Sequence, residues 1–151
     1  MKIFNLFLAS SIFLTACKSQ LHNDSIAVDQ HTQSNAQAVS CKHLQLAIQV
    51  DFEQQQLRGC ATWEIENKDA DELHLDTDQL SIDSVLVDAA KVSFHKDTTV
   101  PHLGERLRIP IQKNSKQVAI YYKTGAHPRA LQWLTAQQTL SKTKPFLYTQ
   151  S

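Results

Sequence analysis

The sequence predicts an all-β fold, an antiparallel sandwich or saddle, and three observations carry that expectation. Apolar residues alternate with polar ones along Leu44, Leu46, Ile48, Val50 and Phe52, and again along Leu57, Gly59, Ala61, Trp63 and Ile65. That period of two marks half-buried strands. Short runs rich in Val, Ile, Tyr and Phe recur downstream between polar turns, the spacing of packed antiparallel sheets. Only Ala130 to Leu140 has room for a helical turn or two.

Taken in order, the β texture begins at Cys41. Glu53 to Gln56 is a polar turn, and pairing Phe52 with Leu57 places both apolar rows on one face, as an amphipathic hairpin requires. Asn67 to Asp71 is a second polar turn, followed by a short strand at Glu72 to Leu75. Leu80, Ile82, Val85 and Val87 form another strand, with a bulge where the period breaks between Ile82 and Val85. Val92 to Phe94, Leu107 to Ile111 and Gln117 to Tyr122 complete the clear strands, and no internal repeat is present. Phe146 to Gln150 has the aromatic and β-branched character of a strand entering a core, so the sequence reads as the front part of something longer.

The first forty residues have a different texture. Lys2 gives a basic start, Ile3 to Phe13 is a compact apolar run, and Leu14-Thr15-Ala16-Cys17 follows. The run is shorter than the roughly 20 residues a spanning helix needs, and the pattern is that of a secretory signal over residues 1–16. A cysteine directly after Leu-Thr-Ala resembles the bacterial lipobox, which makes Cys17 the lipidated first residue of the mature protein and a membrane anchor. Each buried methylene of such an anchor adds about 0.8 kcal/mol of membrane affinity. Lys18 stands where inner-membrane lipoproteins typically carry aspartate, so the expected location is the outer membrane of the cell envelope, facing the periplasm. Residues 18–40 are rich in Gln, Ser, Asn and Asp. They read as a flexible tether, because they offer too little apolar surface to offset ordering entropy.

Composition excludes some functions. Fifteen basic against fifteen acidic residues leave no net charge and no basic stripe, so nucleic acid is not an expected partner. Export invites a disulfide between Cys41 and Cys60, but pairing Phe52 with Leu57 sets Cys60 opposite Gln49, roughly 27 Å along the strand from Cys41. A bridge needs Cα atoms within about 7 Å, so two unpaired thiols are expected. Asp69, Asp71, Glu72, Asp76 and Asp78 cluster but lack the central glycine and terminal glutamate of an EF-hand; a solvated turn face is the simpler reading. His74 falls on the solvent side of Leu73 and Leu75, and Trp133 reads as core or inter-domain packing. Ser84, Ser93 and Ser115 lack any nucleophile-elbow context.

One stretch is more specific. Ala130-Leu131-Gln132-Trp133-Leu134-Thr135, then Gln138-Thr139, then Pro145-Phe146-Leu147-Tyr148 and Gln150, resembles a signature of the zinc aminopeptidase family that includes leukotriene A-4 hydrolase and aminopeptidase B. Upstream blocks agree in order: Lys42-His43-Leu44, Val50-Asp51-Phe52, Leu57-Arg58-Gly59 and Leu75-Asp76-Thr77. The resemblance covers residues 41–151 and implies the family's N-terminal, non-catalytic β domain, truncated at its C-terminal end. It implies that Gln150 is the first residue of a glutamine-x-glutamine substrate-binding segment with Ser151 at its middle position. There the Gln150 amide, both donor and acceptor, would bond a peptide near its N-terminal residue.

The resemblance also implies a zinc cofactor for the full-length enzyme, held by an HExxH pair and a downstream glutamate, with a Gly-x-Met-Glu-Asn loop for the substrate amine. None of these motifs occurs in the sequence, in which Met1 is the only methionine. No catalytic or metal-binding residue is therefore assigned to this chain, and it is expected to be inactive alone. The implied partners are a catalytic domain of the same enzyme, a peptide substrate, and the membrane through Cys17. The alternative reading is a free-standing lipoprotein that keeps only the β domain as a binding or assembly module.

Overall fold

The computed structural model describes residues 29–125 and 128–150. The expected signal peptide, Cys17, the tether as far as residue 28, His127 and Ser151 lie outside the described residues.

The alternating segments form long paired strands. β1 (Val39–Asp51) and β2 (Gln56–Asn67) make an antiparallel hairpin. β3 (Glu72–Thr77), β4 (Leu80–Val87), β5 (Ala90–Val92), β6 (His95–Lys96), β7 (Glu105–Pro110) and β8 (Gln117–Thr124) follow. β9 (Leu131–Leu134) and β10 (Phe146–Thr149) form a second hairpin, separated by a 3-10 turn at Ala136–Gln138. A five-stranded sheet in the order β1-β2-β8-β4-β5 faces a three-stranded sheet, β3-β7-β6, and β9 and β10 form a two-stranded sheet of their own. Every pairing is antiparallel, so the expected all-β class holds.

The core lies between the two larger sheets. Val85, Val118, Ile120 and Ile65 on the large sheet meet Leu73, Leu107 and Ile109 on the small one, with Val39 and Ile111 at the margin. Leu107, Ile109, Val85 and Val118 are fully buried. The break between Ile82 and Val85 is a bulge against β8, between Ile82 and Ser84. It returns Val85 and Val87 to the inner face after the lost alternation.

Several expectations are corrected. Leu57 pairs with Val50, not Phe52. The turn is longer because the Asp51 side chain accepts the backbone N–H groups of Glu53 and Gln54, with Gln55 in the left-handed region at φ 49°. The slip is two residues, so the apolar rows still share one face. Cys60 now opposes Ala47, while Cys41 opposes Ile65 beside a bulge, and both thiols are free. The single strand expected at Val92 to Phe94 is two. Val92 ends β5 in the large sheet, and the chain crosses at Ser93-Phe94 to begin β6 in the small one.

The tether also ends earlier than expected. Thr32 to Val39 lies against β3, and Val39 is buried. The Asn35 amide donates to the Glu72 carbonyl and accepts the His74 N–H, each at 2.8 Å. Asp76 accepts the Gln33 N–H at 2.9 Å and the Thr32 hydroxyl. Asn35 thus satisfies the free edge of β3 as a paired strand would, which composition alone could not reveal.

The outer face of the small sheet carries a charge network. Arg108 bonds Glu72 through two nitrogens at 2.9 and 3.0 Å, and His74 Nε2 lies 3.0 Å from the same carboxylate. Arg106 holds Asp97 at 2.6 Å. Hydrogen bonding from His74 and Arg108 keeps the Glu72 carboxyl below its ordinary value of 4.5, and the Arg106 bond keeps Asp97 below 3.8. His74 does lie on the outer face, half-buried within this network rather than solvated.

Two outcomes are expected. Leu107→Ala, in the fully buried centre, should cost about 2–5 kcal/mol in denaturant unfolding, whereas Leu46→Ala on the exposed face should stay within about 0.5 kcal/mol. Because the folded carboxyls of Glu72 and Asp97 are the more acidic, their contribution is full above the unfolded values of 4.5 and 3.8. It is lost as pH falls through the depressed folded values. A Glu72→Gln, Asp97→Asn variant should melt lower than the parent at neutral pH and converge with it in acid, as read from thermal midpoints.

Candidate functional site

The residues singled out for substrate contact sit on the β9–β10 hairpin. Its register pairs Phe146 with Leu134, Leu147 with Trp133, Tyr148 with Gln132 and Thr149 with Leu131. Opposed residues share a face. Leu131, Trp133, Leu147 and Thr149 therefore lie on one side, and Gln132, Leu134, Phe146 and Tyr148 on the other. Gln150 continues the second set, its N–H donating to the Ala130 carbonyl at 3.2 Å. Phe146 and Tyr148 are 54% and 48% exposed, so this strand does not enter a core as expected. Its two aromatics and the exposed Gln150 amide instead form an open surface.

The opposite face anchors the hairpin. The Trp133 ring meets Phe52 edge-on, centroids 5.6 Å apart and planes at 87°. Edge-to-face geometry sets the positive ring edge against the negative π face. The contact joins β9 to the β1–β2 turn, so Trp133 is packing, as its sequence context indicates. Phe52 is the partner that sequence did not name, since the expected register made it a paired strand residue. Between the strands, Gln138 Oε1 accepts the Thr135 N–H at 2.9 Å and stabilises the tight 3-10 turn. That turn is what the helical expectation over Ala130 to Leu140 amounts to.

Beside the hairpin base is a cavity of about 660 Å³. Leu44, Leu46, Trp63 and Leu75 wall its apolar side, and Asp76, Asp78 and Arg129 stand among its few polar residues. The space arises where β3 ends the small sheet and β1 continues beyond it.

The acidic cluster is dispersed. Asp69 pairs with Lys113, Glu72 with Arg108, Asp76 with Thr32 and Gln33, and Asp78 with Arg129. Among the described residues no three His, Cys, Asp or Glu side chains are grouped to hold a metal ion.

Comparison with known proteins gives this arrangement its context. No family model matches the chain. Leucine aminopeptidase 2-2 of Scheffersomyces stipitis is 31% identical over 141 residues, which span 91% of this chain and 22% of that protein. Leucine aminopeptidase 2 of Saccharomyces cerevisiae is 33% identical over 130 residues, 81% of this chain and 19% of that protein. The structure of yeast leukotriene A4 hydrolase in complex with bestatin aligns with a TM-score of 0.77 at 32% identity, covering 83% of this chain and 21% of the other. The chain belongs to this family of zinc aminopeptidases.

What it matches is the N-terminal β domain, and it spans about a fifth of the length of these relatives. The residues described here do not fit the family's zinc: they offer no converging ligand set, and the carboxylates of Asp69, Glu72, Asp76 and Asp78 already bond protein donors. No chemical step is assigned to them.

The hairpin clamp is measurable. A double-mutant cycle of Phe52→Ala and Trp133→Ala should return a coupling of about 0.5–1.5 kcal/mol. Additive effects would mean that the rings do not interact in solution.

Proposed function

We propose that this chain is the non-catalytic N-terminal β domain of an exported, lipid-anchored zinc aminopeptidase that removes N-terminal residues from peptides. The observation that carries the reading is the agreement in sequence and fold with leucine aminopeptidase 2 and leukotriene A4 hydrolase over more than four-fifths of this chain, against about a fifth of theirs. The β9–β10 hairpin supports it, because its open face is built from groups suited to a neighbouring domain and a peptide. Phe146 and Tyr148 supply apolar contact area, and Gln150 supplies an amide that donates and accepts. In this reading Gln150 and Ser151 border the substrate cleft, and the inner face of β1 rests on the catalytic domain. The zinc ligands belong to that domain, and Cys17 carries the lipid that holds the enzyme at the outer membrane.

The second reading, a free-standing lipoprotein module, is favoured by the closed apolar core, which draws on both larger sheets. Native size separates the two. An antibody against residues 18–40, applied to membranes of the source cell, should detect a species several-fold larger than the 17.1 kDa of this chain. That species should release amino acids from peptides in a zinc-dependent manner, whereas the 151-residue chain should release none. A single band near 17 kDa would reject the enzyme reading in favour of the module. Cys17→Ser should move the protein from the membrane to the soluble fraction, and unchanged membrane retention would remove the lipid anchor from the proposal.

A further inference from the structure

A segment held by polar bonds alone opens more readily than one sealed in a core, and it can open without unfolding its neighbours. Thr32 to Ala38 is such a segment. None of its residues is buried, and the first sealed side chain is Val39, at the start of β1. Three ties bind it to the domain. Asp76 accepts the Gln33 N–H at 2.9 Å and the Thr32 hydroxyl. The Asn35 amide bridges the Glu72 carbonyl and the His74 N–H. The Ala38 carbonyl accepts the Lys68 N–H at 2.9 Å. One group works against closure: Gln33 Nε2 is buried with no hydrogen-bond partner, an uncompensated desolvation cost.

Asn35 governs both halves of the strap. Its side chain grips β3, and its carbonyl accepts the Ala38 and Val39 N–H groups at 2.8 and 3.0 Å, which folds Ala36 to Ala38 into a turn. Ala36 and Gln37 are exposed, the kind of site where proteases nick folded chains. A peptidase must nevertheless hold several residues extended, and bonds on both sides of the turn deny it that shape. Once Asn35 and Asp76 let go, only the turn's own bonds keep the segment folded, and the Ala38–Lys68 bond beside buried Val39 is the hinge. The apolar core includes no residue of Thr32 to Gln37, so it survives the opening.

We propose that Thr32 to Gln37 is a gated proteolytic processing site, at which the strap opens as one unit while the sandwich stays folded. An endopeptidase from outside this domain then cuts the opened segment and separates the N-terminal residues from it. Water adds across one peptide bond, its oxygen going to the acyl carbon as a new carboxylate and its protons leaving the nitrogen as a new amine. On the reading in which Cys17 carries a lipid, that cut frees the folded domain from the membrane. The gate itself stands without that reading, because no anchor enters either measurement of it.

Amide exchange of the full chain, followed by NMR, reads the opening. In the parent, the Gln33 and His74 amides should share one protection factor, lower than that of the β7 amides. Asn35→Ala should speed exchange at Gln33, whose own acceptor Asp76 is untouched, roughly five- to 150-fold. Asp76→Ala should likewise speed exchange at His74, whose acceptor is Asn35, and β7 should not change in either variant. A broad-specificity endopeptidase should cut the parent slowly between Thr32 and Ala38, as N-terminal sequencing of the domain fragment locates. It should cut Asn35→Ala there faster by the same factor as exchange, since cleavage tracks the open population. Effects confined to the amide that lost its own partner would overturn the proposal, because the strap would then fray residue by residue. So would equal acceleration in β7, which makes the opening global, or digestion of Asn35→Ala that leaves Thr32 to Ala38 intact.

Discussion

The rest of the molecule follows from a mismatch of width between two sheets that share one core. Strands lie about 4.8 Å apart, so a three-stranded sheet cannot cover a five-stranded one. The small sheet lies over the middle of the large one, and burial there is complete: Val85, Val118, Leu107 and Ile109 are all sealed. Towards the β1 side cover falls away. Ala61 is still buried, Trp63 is half-buried, and Leu44 and Leu46 are open. One alternating pattern therefore has two outcomes. The apolar face of β2 is core for most of its length, while the same face of its partner β1 meets solvent.

The cavity and the N-terminal strap are consequences of that overhang. β3 ends the small sheet, and its free backbone would be left unpaired beside an open apolar space. Asn35 closes that edge by offering the Glu72 carbonyl a donor and the His74 N–H an acceptor. Asp76 then fixes the strap one strand repeat away through Gln33 and Thr32. The strap is thus built by polar pairing rather than apolar burial, and it can stand where the sequence holds few large side chains. The charge network behind it has a similar logic: Glu72 and Asp97 face Arg106 and Arg108, so neighbouring strands present opposite charges across the ladder.

How much of this was legible depended on the kind of interaction. The class and most strands could be read, because a period of two survives in any half-buried strand, and even the bulge at Ile82 to Ser84 showed as a skipped beat. The hairpin register slipped by two residues because Asp51 captures the N–H groups of the turn. A side chain accepting from the backbone leaves no trace in an apolar pattern. Thr32 to Ala38 looked like tether because its ordering comes from Asn35 and Asp76, residues equally at home in disordered chain. At the hairpin the sequence placed Trp133 in packing but misjudged β10. An aromatic strand suggests burial, and only the pairing with β9 shows that Phe146 and Tyr148 take the side away from Trp133.

The two open apolar features are also one feature in mechanical terms. Phe52 ends the exposed row of β1, and it is the residue on which Trp133 stands. Whatever covers β1 therefore bears on the hairpin through a single aromatic contact, and a shift of the β1–β2 turn would move β9 with it. Gln150 is bonded at its N–H to Ala130, at the base of that same hairpin. A chain of contacts therefore runs from the turn after Asp51, through Phe52 and Trp133, to the β9–β10 ladder and the Gln150 backbone. A neighbouring domain that packs on the overhanging face would fix this chain from one end.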